Sequence, residues 1–188
     1  MQVHRTVIDG VLLLVPSAIG VDGSRALTFD TSVALRHGID ASRFVQDSQS
    51  RSMCGVVRGM HGRTGSGEAK LVRCAHGAMF DVVVDARPGS PTFGRVATFR
   101  LDDVDMHQLH IPAGCLHGFQ ALTETVDTCY RIDAEHDPTE DVSVRWDDPD
   151  LDIRWPLPPT VISPKDRGAG SWRDLRVQLT GRPDRIPA

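Results

Sequence analysis

The 188-residue chain has no excess of positive charge and no long hydrophobic run. It contains 21 lysines and arginines against 25 aspartates and glutamates, a net charge of −4, so no basic surface field attracts nucleic acid or an acidic membrane. The apolar run VLLLV near the start is too short for a signal sequence or a membrane span. We therefore expect no nucleic-acid partner, no membrane contact and a cytoplasmic location, with any phosphate bound by locally placed arginines and lysines.

Cysteine is also sparse, and its four residues are scattered along the chain. The four residues Cys54, Cys74, Cys115 and Cys129 show no C-x-x-C pattern. They lie among apolar residues, which is typical of reduced interior thiols in a reducing compartment.

The chain does contain a series of short strand signals separated by turns. Segments 96–101, 107–112 and 128–132 are β-branched or apolar, and FDVVVDAR at 80–87 is continuous enough for a strand buried on both faces. Glycine- and proline-rich turns recur at spacings of about ten to fifteen residues. This pattern predicts an all-β antiparallel sandwich or barrel with a few short helices.

Helical signals are confined to residues 31–36 and to a short segment after Ser171. From Arg167 onward the chain is polar and contains two prolines. The length fits one domain without a second core. We predict a single domain over residues 1–166 and a polar tail over residues 167–188 that wraps the surface.

The segment CGVVRGMHGR places Arg58 and His61 in a run that otherwise resembles a buried strand. Side chains of a regular strand alternate between its faces, so these two residues would point in opposite directions. For both to serve one cavity the strand must break its alternation, and Gly59 is the least costly place for a β-bulge. We predict an irregularity at Gly59.

Two segments carry parts of the cupin signature. IPAGCLHGF contains P-x-G-x-x-H, which ends at His117, and Gly55 stands six residues before His61 as in the other half of the signature. The complete signature binds a metal through H-x-H and a nearby glutamate, but Arg63 replaces the second histidine and Glu68 lies one residue late. Because a permanent cation does not suit a divalent metal site, we expect a cupin that binds no metal.

A longer set of motifs extends this resemblance. The chain contains, in order, VVRGMH, AKLVRCAHGAMFDVVVDARPGSPTFG, QLHIPAGCLHGF, CYRI, DPDLDIRWP and ISPKD. Over residues 44–168 these resemble the dTDP-4-dehydrorhamnose 3,5-epimerase family, sugar-nucleotide epimerases of the cupin superfamily. The resemblance implies a cupin-type double-stranded β-helix (jelly-roll) barrel, no cofactor and a homodimer that exchanges N-terminal strands. The implied substrate is a nucleoside-diphosphate 4-keto-6-deoxyhexose, with dTDP as the expected nucleotide.

The family's reaction inverts a carbon next to the C4 ketone, which requires a base, a partner for the enolate oxygen and an acid on the opposite face. The resemblance assigns His61 as the base and Asp166 as its orienting carboxylate, and an imidazole that titrates near neutral pH suits this role. It assigns Tyr130, the only tyrosine, as the acid, and Lys70 as the cation beside the keto oxygen. From the residues alone, Asp166 would be a turn residue and Tyr130 a strand residue that caps the core.

The same resemblance implies a substrate-binding set. Its members are Arg58, His117, Arg25, Gln46, Ser48 and Phe29. Arg58 would pair with the pyrophosphate, whose oxygens match guanidinium geometry, and His117 would donate a hydrogen bond inside the cavity. Phe29 is a candidate for stacking on the base, since aromatic residues make up only 5% of the chain.

The chain departs from the family pattern at several binding positions. The early D-x-R-G motif survives as DGSRALTFD, which keeps Arg25 but has Ala26 in place of glycine. Ser48 stands where the family has asparagine, and Gly62 and Arg63 replace an aromatic residue and an amide. In the family that the chain resembles, these positions contact the substrate and do not transfer protons. We therefore expect this chain to share the family's type of reaction, whereas its substrate can differ from the family's usual one.

Several alternatives remain open on the sequence. Inversion at C3, at C5 or at both uses the same base and acid. A related cupin ketoisomerase of deoxysugar nucleotides would use the same cofactor-free chemistry. A metal-dependent cupin dioxygenase is a weaker alternative, because this chain lacks metal ligands that such an enzyme needs. A catalytically silent cupin would bind a sugar nucleotide without turnover, and the joint presence of His61, Tyr130, Lys70 and Asp166 argues against it.

Overall fold

The computed structural model describes residues 1–19 and 25–181, and strands dominate it. In chain order the strands are β1 (Gln2–Arg5), β2 (Leu12–Val15), β3 (Ser17–Ile19), β4 (Arg25–Leu27), β5 (Gln46–Met53), β6 (Val57–Arg63), β7 (Lys70–His76), β8 (Ala78–Asp85), β9 (Val96–Asp102), β10 (Gln108–Ile111), β11 (Cys115–Ala121), β12 (Thr125–Ile132) and β13 (Asp141–Ser143). The helices are α1 (Thr31–Arg36), a 3-10 turn (Ala41–Arg43), α2 (Pro164–Arg167) and α3 (Trp172–Thr180).

Two antiparallel sheets face each other. The first has six strands in the order β1-β2-β10-β7-β12-β5, and the second has five in the order β13-β6-β11-β8-β9. From β5 to β8, and again from β10 to β13, the chain changes sheet at every strand. This connectivity is the predicted all-β, cupin-type jelly roll. In the described residues the two sheets stay separate and do not join into one closed barrel.

Strand β8 is buried on both faces, as its continuous apolar run predicts. Met79 and Val83 belong to the core between the sheets, whereas Val82 and Val84 belong to a second core on the outer face of the five-stranded sheet. Asp81 lies on the inner face with Met79 and Val83 because side chains alternate along a strand. A fully buried carboxylate in this position requires a partner.

The C-terminal segment contributes to the second core. Ser171 caps α3 by accepting a hydrogen bond from the backbone of Asp174, which confirms the helix predicted after Ser171. Trp172 and Leu175 on this helix are buried against the five-stranded sheet. The division at residue 167 stays a prediction, but part of the expected tail is packed; residues 182–188 lie outside the described part of the chain.

Strand β6 is irregular at the predicted place. His61 pairs with His117 of β11, but Arg58 pairs with Phe119, so two residues of β6 oppose one residue of β11. Gly59 lies at this bulge with φ +124°, and a Cβ there would come within 2.5 Å of the backbone of the facing strand. Only glycine fits, and the extra residue lets Arg58 and His61 face the same side.

The cysteine prediction is correct for two residues. Cys74 and Cys115 are buried, and burial raises the pKa of each thiol to about 12. Cys54 is exposed, contrary to the prediction, because it follows β5 in the turn that leads to β6. Among the described helices, none is long and apolar enough to span a membrane.

Candidate active site

A cavity of about 340 Å³ is lined by residues of both sheets and borders the apolar core, to which its lining residue Phe119 belongs. It brings together the four residues predicted to be catalytic and three of those predicted to bind substrate. Its lining consists of Ser48, Ser50, Arg58, His61, Lys70, His117, Gly118, Phe119, Tyr130, Ile132, Ser163, Lys165 and Asp166.

His61 and Asp166 form a short, directed pair. The Nε2 atom of His61 lies 2.6 Å from Oδ1 of Asp166, although the two residues are 105 positions apart in the chain. The Asp166 side chain is 3% exposed, whereas that of His61 is 39% exposed. The carboxylate is therefore fixed in the protein interior while the imidazole reaches the cavity.

The short helix α2 aims Asp166 at His61. Ser163 caps the helix, and its hydroxyl accepts a hydrogen bond of 3.0 Å from the Asp166 backbone N–H. The other carboxylate oxygen of Asp166 lies 3.5 Å from the backbone nitrogen of Gly59, at the bulge of β6. The ISPKD segment thus contacts the VVRGMH segment at two points, the His61 side chain and the Gly59 backbone.

Burial lowers the pKa of His61 below its ordinary value, because desolvation outweighs the opposing contact with Asp166. The ring is therefore neutral at neutral pH. With Nε2–H donating to the carboxylate, Nδ1 is the atom left with a free lone pair. This arrangement can accept a proton from a bound carbon acid.

Tyr130 lies on β12, on the opposite sheet from His61. Burial raises the pKa of its phenol well above the ordinary value, and the neighbouring Ser50 hydroxyl offsets only part of that effect. The phenol is therefore protonated across the whole physiological pH range. Its ring packs edge-on to His117, with the ring centroids 6.1 Å apart.

His117 belongs to a second, deeper histidine–aspartate pair. Its Nε2 atom lies 2.7 Å from Oδ2 of Asp81, and the two side chains are 6% and 0% exposed. Burial raises the pKa of Asp81, and the nearby His117 opposes that shift. The pair fixes the His117 ring against Tyr130 at the base of the cavity.

Lys70, at the start of β7, is tied to an ion network. Its Nζ lies 2.7 Å from Oε1 of Glu68, and Oε2 of the same carboxylate lies 3.0 Å from a guanidinium nitrogen of Arg63. Arg63 therefore occupies the position of the missing cupin histidine with its charge already paired to Glu68. These residues do not fit a divalent cation. Within residues 1–19 and 25–181, no group of three histidine, cysteine or acidic side chains is arranged to hold a metal.

Two predicted binding residues, Arg58 and Ser48, line the cavity. Arg58 is exposed, and its Nε donates a hydrogen bond of 3.0 Å to the Ser52 hydroxyl. Ser48 lies opposite Tyr130 in the β5–β12 register. Both can contact an anionic or hydroxylated ligand.

Three predicted binding residues are not in this cavity. Gln46 lines a neighbouring polar cavity that shares His61 and Lys165 with the main one. Phe29 instead packs in the cluster under α1, with the Arg131 guanidinium 5.6 Å from its ring centroid. The side chain of Arg25 lies outside the described part of the chain.

The sequence reasoning missed three residues of the site. Asp81 was hidden in an apolar run, although a lone acidic residue in a strand buried on both faces is itself a signal. Lys165 lines the cavity and directly precedes Asp166 in the chain. Ser50 shares the inward face of β5 with Ser48, two positions away.

Similarity to known proteins agrees with this geometry. A family model described as dTDP-4-dehydrorhamnose 3,5-epimerase matches residues 5–174. A dTDP-4-dehydrorhamnose 3,5-epimerase from Methanothermobacter thermautotrophicus is 37% identical over 176 residues, which cover 92% of this chain and 93% of that protein. The chain belongs to the dTDP-4-dehydrorhamnose 3,5-epimerase family. The family predicted from the motifs is confirmed, and the family's activity is that of an isomerase.

Solved structures of family members share the fold. NovW, a 4-keto-6-deoxy sugar epimerase from Streptomyces spheroides, matches with a TM-score of 0.89 and 35% identity, covering 95% of this chain and 92% of that one. A dTDP-6-deoxy-D-glucose-3,5-epimerase from Legionella pneumophila, solved with dTDP-4-keto-L-rhamnose, matches with a TM-score of 0.82 and 37% identity, covering 89% and 90%. These matches confirm the predicted jelly-roll fold of the epimerase family.

Proposed function

We propose that this family member is a metal-independent epimerase of a dTDP-linked 4-keto-6-deoxyhexose, which it inverts at C3, C5 or both. One observation carries the proposal: a single cavity is lined by a carboxylate-held imidazole, a protonated phenol and an ammonium group. The named activity of NovW and the ligand of the Legionella pneumophila enzyme support this substrate class.

In the proposed first step, Nδ1 of His61 removes the proton from the carbon next to the ketone. The electron pair of the broken C–H bond moves to the C4 oxygen and forms an enolate. The Lys70 ammonium stabilises that oxygen, where negative charge develops. Asp166 stabilises the imidazolium that results, which is why a buried carboxylate at 2.6 Å supports this role.

In the second step, Tyr130 donates its proton to the same carbon from the opposite face, and the carbonyl reforms. A phenol with a raised pKa is a weak acid, but a carbanion is a much stronger base, so the transfer is downhill. Tyr130 and His61 come from facing sheets, which supports attack on opposite faces of the sugar. Water then returns a proton to Tyr130 and removes one from His61.

Binding of the diphosphate is proposed to use cations that line the cavity. Arg58 and Lys165 both line the cavity and are exposed, so they supply two positive charges that a diphosphate can reach. The chain as a whole is acidic, so these local charges supply the attraction.

Solvent exchange tests the proposal directly. The purified protein is incubated with dTDP-4-keto-6-deoxyglucose in D₂O, and deuterium is located by NMR and mass spectrometry. We expect deuterium at C3, at C5 or at both, and the labelled carbon identifies the site of inversion. Binding without exchange at either carbon would make the protein a silent sugar-nucleotide binder, and a migrated keto group would make it a ketoisomerase.

Metal analysis separates this proposal from metal-dependent cupin chemistry. We expect the exchange rate to be unchanged after treatment with a chelator, because the base, the acid and the enolate partner are all side chains. Stoichiometric iron or manganese together with loss of activity on chelation would contradict the proposal.

We further propose a homodimer and a cytoplasmic location, as the family resemblance and the free cysteines suggest. Sedimentation velocity tests the first, with a species of twice the 20.6 kDa chain mass as the expected result. Fractionation of cells that make the protein at native level tests the second.

A further inference from the structure

We infer that Glu68 is a positioning residue for Lys70: held in place by Arg63, its buried carboxylate aims the Lys70 ammonium into the cavity. The inference rests on the proposed function, in which Lys70 stabilises the enolate. It adds a residue that acts through Lys70 and does not itself touch the reacting atoms.

The geometry shows one carboxylate shared between two cations. Oε1 of Glu68 lies 2.7 Å from Nζ of Lys70, and Oε2 lies 3.0 Å from Nη2 of Arg63. The side chains of Arg63, Glu68 and Lys70 are 5%, 7% and 13% exposed. Because all three charges are largely withdrawn from water, each depends on the others for compensation.

Arg63 prevents the carboxylate from turning away. Its Nη1 donates a hydrogen bond of 2.8 Å to the backbone carbonyl of Glu135, and its Nε lies 3.5 Å from Asp141. The guanidinium is thus held by a carbonyl and two carboxylates. Glu68 is ion-paired with this guanidinium through Oε2, which leaves Oε1 beside the Lys70 ammonium.

Lys70 needs such a restraint because its side chain is a flexible four-carbon stem. Its ammonium is ion-paired with Glu68 at 2.7 Å and lines the cavity, where its N–H donors can meet the oxygen of a bound ketone. Without Glu68, two like charges, Lys70 and Arg63, would be left close together in a largely buried site, and the ammonium would swing away from the cavity.

The chain offers a direct way to observe this restraint. Lys70 and Lys165 are its only lysines, so isotope-labelled lysine gives two side-chain signals. Lys165→Arg identifies which signal belongs to Lys70. In the ligand-free protein we expect the Lys70 side chain to be more ordered in relaxation measurements than that of Lys165, which is 64% exposed.

Glu68→Gln is the central variant. We expect the Lys70 signal to become as mobile as that of Lys165, and kcat for the epimerisation to fall by up to roughly 100-fold. KM should change little, because Lys70 acts on charge that develops only in the transition state. Glu140→Gln is the matched control, since that carboxylate contacts Ser66 in the same loop at 3.3 Å and is not paired with Lys70.

A second variant keeps the test decisive if Glu68→Gln does not fold. The combined Arg63→Gln and Glu68→Gln change removes the unpaired guanidinium together with the carboxylate, so it relieves the buried charge while still releasing Lys70. It should show the same mobile Lys70 signal and the same loss of kcat.

Two results would overturn the inference: an equally ordered Lys70 in these variants, or a mobile Lys70 with unchanged kcat. The relaxation measurement uses no substrate. A wild-type protein that fails to exchange deuterium but shows an ordered Lys70 therefore identifies a failure of the proposed function and not of the contact.

Discussion

Two short histidine–aspartate pairs in the described part of the chain have nearly equal geometry and very different surroundings. In both, an imidazole Nε2 contacts a buried carboxylate, at 2.6 Å for His61–Asp166 and at 2.7 Å for His117–Asp81. The His61 side chain is 39% exposed and faces the cavity, whereas that of His117 is 6% exposed. The distance between the atoms therefore does not distinguish a base from a structural pair. Access to the substrate distinguishes the two.

The origin of this difference is local. His61 follows the bulge of β6 and lines the cavity, and its carboxylate comes from the short helix α2. His117 and Asp81 lie on adjacent, regular strands β11 and β8. The first pair is thus assembled from irregular segments, and the second belongs to the framework.

The largest expected effect comes from removing the exposed ring. His61→Ala should lower the rate of solvent deuterium exchange by about 1,000-fold, as expected for loss of a general base. His37→Ala, which removes an exposed histidine at the end of α1, is the control and should exchange normally. Full exchange in His61→Ala would remove His61 from the role of base.

The next effect concerns the phenol that packs against the second pair. Tyr130→Phe should lower the yield of inverted product by roughly 100-fold, because the proton donor on the opposite face is lost. Deuterium wash-in at one carbon should persist, since His61 still removes the proton and returns one to the same face. NMR of substrate and product in D₂O measures both. Equal loss of wash-in and inversion would contradict separate acid and base.

Replacing each aspartate by asparagine should separate the pairs. Asp166→Asn should reduce exchange by roughly 10- to 100-fold, because the amide can donate to Nε2 and force the proton onto Nδ1. Its effect on the free energy of unfolding should stay below about 1 kcal/mol, since water can reach His61.

Asp81→Asn should have the reverse profile. We expect it to lower the free energy of unfolding by about 1–3 kcal/mol, because a neutral amide replaces the charged acceptor of His117 and brings a buried N–H group to a place where Oδ1 has no partner. Urea denaturation and exchange assays on both variants measure the contrast. If Asp81→Asn reduced activity more than Asp166→Asn and reduced stability less, the His117–Asp81 pair would be the catalytic one and the His61–Asp166 pair the structural one.

Parts of this contrast could be predicted from the sequence. The bulge followed from simple alternation and one glycine, and the two-faced burial of β8 followed from its apolar run. The contact between His61 and Asp166 joins residues 105 positions apart, so only the order of the family motifs pointed to it.

Other parts could not be predicted, for identifiable physical reasons. Asp81 is a single polar residue in an otherwise apolar segment. Its contact with His117 depends on the pairing of β8 with β11, which the sequence does not show. Arg63 and Glu68 were recognised as departures, but their pairing depends on how the loop before β7 folds back. Trp172 and Leu175 lie in a polar segment whose helix buries a single face.

The pH dependence of exchange gives the smallest and most specific test. Desolvation lowers the pKa of His61 below its ordinary value of 6.5, and Asp166 raises it in part. His61 must be neutral to accept a proton, so kcat/KM should be constant around neutral pH and fall about tenfold per unit only at acidic pH below 6.5. Asp166→Asn removes the contribution that raises the pKa, so its acidic limb should lie at still lower pH, beneath a reduced plateau. If the acidic fall in kcat/KM moved to higher pH in this variant, Asp166 would not stabilise the protonated His61 ring. The His61–Asp166 pair would then differ from the His117–Asp81 pair only in its access to the substrate.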